Sequence, residues 1–283
     1  VSGQDRLPFV QFELAGTVGL EQGRYLGRDP ERVLVVIVAG APAPPRRRLG
    51  RAKPTDADPA AEPPTVPLTT LTAIRPRSLG DRAAAESWLA RVRDDPEAIG
   101  AELAEALAFV NGAVHAHRAA VLDPDLADVS AAHALAVRIG FGGGEQLADG
   151  RFAEAIEIPH STRRRRGEML RPQERVAAVL GGREAVTACE LLLLRARADL
   201  DAGRGRESAL QLRVGLEALL AERDALAGPG QDEDLTALAE RRAITGEAAN
   251  AALGGELSDQ RIAEVADTLR LCERVLRRRR ALG

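Results

Sequence analysis

Several stretches of the chain carry residue types able to do chemistry, and spacing decides what each can do. Gly140-Phe141-Gly142-Gly143-Gly144-Glu145 follows a strand-like run, where a backbone free of side chains can approach a phosphate closely. The dinucleotide pattern needs glycine where Glu145 stands, and no Gly-Lys-Ser/Thr completes a triphosphate loop. The run leads to Asp149-Gly150, a turn signal, so a flexible hairpin loop or bulge is expected and no cofactor. His115 and His117 resemble a metal pair only as text. On a helix, residues two apart point ~200° from one another and do not face one ion. Asp123, Asp125 and Asp128 follow without the spacing of a calcium loop. No metal is expected, and His115 is read as a surface residue or as bonded to Asn111 one turn earlier.

No serine sits in a G-x-S-x-G elbow. Cys189 and Cys272 lie among apolar neighbours in a half without histidine, which predicts buried, inert thiols. His115, His133 and Asp149 remain as the acid–base candidates of an enzyme whose pocket would lie between two domains. Arginine runs at Arg46–Arg48, Arg163–Arg166 and Arg277–Arg280 could hold phosphates if the fold gathered them, with Arg163, Arg164, Arg165 and Arg166 as the candidate nucleic-acid contacts. Aromatic residues are 2% of the chain, too few for base-stacking platforms, so solvated charge is the favoured account and nucleic acid is not the favoured partner.

The elements that must position these residues start with strands. Val10, Phe12 and Leu14 alternate with Gln11 and Glu13, the pattern of a half-buried strand. Residues 23–26 and 33–38 flank Asp29-Pro30-Glu31, predicting a hairpin, and Leu68–Ile74 reads as a further strand. Between them, residues 41–67 form a proline- and arginine-rich segment expected to be a disordered loop. Asp81 and Asp95-Pro96 start two helices. Leu135, Val137, Ile139 and Phe141 return to strand, and Phe152, Ile156 and Ile158 continue past the expected turn. This order predicts an α+β domain over residues 1–160, an antiparallel sheet packed on two helices.

Residues 161–171 read as a basic connector, and residues 172–283 as an all-α domain. That back half contains no Phe, Tyr, Trp, His or Lys, so its core must be aliphatic. Helices are expected over 172–180, 183–202, 207–226, 232–242, 245–253 and 259–282. Leu191–Leu194 wrap the second of these, which predicts that it is central. Ile262, Leu269 and Leu276 share one stripe of the last and are candidate partner-facing positions if they are not core. Residues 192–220 read as an antiparallel helix pair about a glycine turn. The segment resembles one tetratricopeptide unit, with Gly203 at the turn and Ser208 and Gly215 at packing positions. The aromatic positions and closing proline of that repeat are absent, and no second copy follows at a ~34-residue period.

Composition bounds the function. The chain has 283 residues, 45% of them hydrophobic, and a net charge of −3, without the strongly basic body of a dedicated nucleic-acid binder. Lys53 is its only lysine, the codon bias of a high-GC bacterial genome, so abundant arginine is not itself a functional signal. Two isolated cysteines, no secretory signal at the start, and an apolar run (Val33–Ala43) broken by Gly40 and Pro42 predict a cytoplasmic protein without membrane partners. The expected function is a non-catalytic protein-interaction or structural role, through helices that bind another protein or a second copy.

Overall fold

The computed structural model describes residues 5–28, 31–42, 65–159, 166–222 and 231–282. The chain divides into two compact units, Val1–Ser161 and Thr162–Gly283. The first is mixed α+β and the second helical. No helix among the described residues is long and apolar enough to cross a membrane.

The first unit holds β1 (Leu7–Ala15), β2 (Gly23–Arg28), β3 (Glu31–Pro42), β4 (Thr65–Ile74), β5 (Ala136–Gly142) and β6 (Glu154–Glu157). They form one sheet in the order β2-β3-β4-β1-β5-β6, antiparallel throughout. Helices α1 (Arg82–Asp94) and α2 (Pro96–Val121) cover one face. There Val10, Phe12, Leu34, Leu71, Val137 and Ile139 meet Val92, Ala106, Val110 and Val114. Both helices start as the sequence predicts. Asp81 accepts from the Ala84 N–H, and Asp95 from the N–H groups of Glu97 and Ala98, which satisfies otherwise orphaned donors.

The other sheet face is also covered, which single-strand alternation did not foresee. Leu7, Phe9, Val35 and Ile74 pack under Leu147, and the Phe152 ring stacks on Phe9 at 5.4 Å. Gln11 is therefore 3% exposed. Its amide donates to the Thr72 hydroxyl and to the Gly150 carbonyl, each at 3.1 Å, as a buried polar group must.

The glycine-rich run is ordered structure instead of a flexible hairpin loop. β5 passes directly into a one-turn helix, α3 (Gly144–Ala148), which Asp149 ends; Gly150 follows at φ +70°. Gly140 is there for packing. A Cβ on it would lie 2.2 Å from the Glu154 carbonyl oxygen and 2.7 Å from the Ala155 Cα of β6. The proline-rich segment is also shorter than 41–67, because β3 and β4 keep pairing through Gly40–Pro67, Ala41–Val66 and Pro42–Thr65. Pro67 is tolerated because β1 has ended beside it, and its carbonyl accepts from the Gly16 N–H at 2.7 Å. Residues 43–64 lie outside the described residues.

The second unit comprises α4 (Arg166–Leu180), α5 (Ala188–Asp201), α6 (Gly205–Ala221), α7 (Asp232–Glu240), α8 (Arg242–Gly254) and α9 (Asp259–Leu282). Residues 166–171, expected in a connector, begin α4, with Pro172 inside the helix. The central helix is α6, which packs against α5, α7, α8 and α9 and buries Leu212, Leu216 and Leu219 completely. α5 was expected there, yet Leu191 is 50% and Leu194 62% exposed. Four consecutive helical residues span ~300°, and a helix packed on one side leaves some of them outside. The α5–α6 hairpin forms as expected. Gly203 turns at φ +75°, the Ser208 hydroxyl donates to the Ala196 carbonyl at 2.8 Å, and Gly215 leaves room for Leu193.

Two alanine substitutions in unit 1 should move stability in opposite directions. Gly140→Ala forces strand backbone apart and should lower unfolding free energy by about 1–3 kcal/mol. Gly112→Ala, mid-α2 with nothing within 4 Å of its new Cβ, should raise it by about 0.5–1 kcal/mol. Urea unfolding measures both; an unchanged midpoint for Gly140→Ala would contradict the β5–β6 contact.

Candidate functional site

The 3–4 spacing of α9 creates two opposed faces. Val265, Leu269, Cys272, Val275 and Leu276 enter the aliphatic core, and the same periodicity places Arg270, Arg274, Arg277 and Arg278 outward. Leu269 is fully buried and Leu276 7% exposed, so neither is the partner-facing residue it was a candidate to be. They carry the hydrophobic contact that fixes α9. Ile262 is half-buried against the α6 start, 3.1 Å from where a Gly205 Cβ would lie.

Beside the arginine face, α7 contributes Ala237, and Arg241 follows at its end. A groove of about 530 Å³ lies between the two helices, lined by Ala237 and Leu271, by Arg241, Arg270, Arg274 and Arg277, and by Asp267. Its charges do not balance. Asp234, with a side chain only 10% exposed, accepts from Arg274 at 2.6 and 3.1 Å and from Arg278 at 2.7 Å. Arg270 pairs with Asp267. Arg277 approaches Glu273 at 3.7 Å, but Glu273 already accepts from both Nε and Nη2 of Arg197 on α5, at 2.7 and 3.1 Å. Arg241 donates to the Thr268 hydroxyl at 3.3 Å. Among the described residues, Arg241, Arg270, Arg274 and Arg277 line the groove with Asp267 as the one carboxylate in its lining, while Asp234 and Glu273 reach Arg274 and Arg277 from beside it. Hydrogen bonding to Asp234, then its charge, holds the Arg274 guanidinium above its ordinary value, so the cation persists at any physiological pH. Arg270 and Arg277 each keep 66% of their side chains in solvent. The geometry offers a concave, cationic surface for carboxylates or phosphates.

The acid–base candidates lie elsewhere and are not joined. Asn111, expected to hold His115, instead exchanges two hydrogen bonds with the Val129 backbone, at 3.0 and 2.7 Å. His115 Nδ1 is buried without a hydrogen-bond partner among the described residues. His133 is exposed in a short 3-10 turn, Ala131–His133, and Asp149 pairs with Arg151 at 2.9 Å on the surface. Among the described residues no group of His, Cys, Asp and Glu could hold a metal ion. A small cavity between the sheet and α2 is filled by its own ion pairs, Arg32 with Glu105 and Arg75 with Glu102 and Glu105. Of the arginine runs, Arg46–Arg48 and Arg163–Arg165 lie outside the described residues, and Arg166 opens α4. No family model, curated protein or solved structure matches this chain.

Sequence inspection by runs missed Arg241, Arg270 and Arg274. The signal was there in the helical spacing of Arg270, Arg274 and Arg277, opposite the apolar stripe of the same helix.

The core thiols give a direct test of the second unit. Burial, then the nearby Cys189, pushes the Cys272 thiol up to about 12, and burial raises Cys189 as well. A raised folded value stabilises the folded state below the ordinary 9.0, an increment lost as pH climbs from there towards 12. At pH 8 a water-soluble aromatic disulfide reagent should therefore release no thiolate chromophore from the folded chain and two equivalents after denaturation. Rapid stoichiometric labelling without denaturant would contradict the packing of α5 and α9.

Proposed function

We propose that this chain is a non-catalytic, cytoplasmic protein-interaction component, and that its second unit captures an acidic segment of another protein in the α7–α9 groove. The observation that carries this reading is the excess of arginine over carboxylate around a groove floored by Leu271 and Ala237. A guanidinium fork matches a carboxylate through two parallel hydrogen bonds, so exposed Arg270 and Arg277 are ready donors.

Two features favour an acidic protein segment over nucleic acid. The whole chain carries −3, so attraction to an anion is confined to the groove itself and is screened within ~8 Å at physiological salt. Residues 172–283 also contain no aromatic side chain on which a base could stack. A protein partner is further supported by apolar surface on the same unit: Val176 and Leu180 on α4 and Leu191 and Leu194 on α5 are each at least half exposed.

Fluorescence anisotropy with a labelled glutamate-rich peptide tests the reading. Changing Arg270 and Arg277 together to Gln removes two charges and touches no buried carboxylate, so the fold should be kept. The expected result is at least ~10-fold weaker binding, about 1.4 kcal/mol, with affinity falling steeply as salt rises. Equal binding by the variant and the parent, or no binding by the parent, would refute the proposed role of the groove.

A further inference from the structure

Resting on that reading, we infer that the occupant of the groove is an amphipathic α-helix bearing carboxylates one turn apart on one face. The arginines it must meet are spaced by a helix. Arg270, Arg274 and Arg277 follow each other at four and three residues along α9, about 6.0 and 4.5 Å of axial rise. A partner helix with acidic residues at i, i+4 and i+7, or the reverse order, repeats the same intervals. An extended strand puts same-side residues ~6.7 Å apart, so it falls out of step by the third contact.

The walls of the groove also suit a helix. α7 and α9 present small Ala237 and a nearly covered Leu271 between the arginines. A partner helix laid on this surface would set small or aliphatic side chains against Ala237 and Leu271. The α9 face runs on past Asp267 to exposed Ala263, one turn further towards the N-terminus. The charges select polarity of partner, and the spacing selects its conformation.

Three labelled probes, two of them peptides of equal net charge, test this on the intact chain. One is a helix-forming peptide with glutamates at i, i+4 and i+7 and alanine or leucine between. The second has the same composition with the glutamates scattered around the helix, and the third is a short DNA duplex. The patterned peptide should bind at least about tenfold more tightly than the scattered one, gain helical circular dichroism on binding, and lose that advantage on Arg270→Gln/Arg277→Gln. Equal binding of the two peptides would overturn the helix inference and leave the acidic-segment reading standing. Tighter binding of the duplex than of either peptide, or binding of none of the three, would overturn both.

Discussion

From residue 172 onward the chain must close its core with leucine, valine, isoleucine, alanine and two thiols. No ring is available to span a gap. Helices of that composition bury enough surface only by approaching closely along most of their length. The contacts show it: Gly215 admits the Leu193 side chain, Ser208 tucks its hydroxyl onto the Ala196 carbonyl, and Leu212, Leu216 and Leu219 vanish from solvent. Helix α9 completes the enclosure, and its buried face has to be continuous from Val265 to Leu276.

That requirement determines what the outer face of α9 can be. With the apolar residues committed inward, the polar positions fall on one stripe, and four of them are arginine. Asp234 holds Arg274 and Arg278 from α7, and Glu273 ties the far side of α9 to Arg197 of α5. These pairs position the helix, but they leave the stripe with more cations than anions. The surplus lines the groove between α7 and α9. The proposed function follows from this arrangement and not from any reactive group.

Much of the scaffold was legible because its signals are local. Asp81 and Asp95 mark helix starts through hydrogen bonds to residues two or three positions on, and Val10, Phe12 and Leu14 reveal their strand by alternation alone. What escaped depends on distant partners. Gln11 reads as solvent-facing until Gly150, 139 residues away, supplies its acceptor. Gly140 reads as loop flexibility until β6 lies against it. Leu191 and Leu194 suggested a central helix because side-chain type says nothing about which neighbours arrive. The groove was half visible. The α9 arginines have a helical period, whereas consecutive Arg277, Arg278 and Arg279 wind around the helix and scatter their charge. Arg241 comes from another element, and no pattern within α9 could announce it.

The most direct test observes the guanidinium groups themselves. In an NMR titration of the intact chain with the patterned acidic peptide, arginine Nε–Hε resonances report which side chains take up carboxylates. Signals of Arg270 and Arg277 should shift together and saturate at one affinity, while Arg175, held by Glu190 on both oxygens at 2.8 Å, stays in place. Saturable binding that leaves Arg270 and Arg277 unmoved would contradict the account.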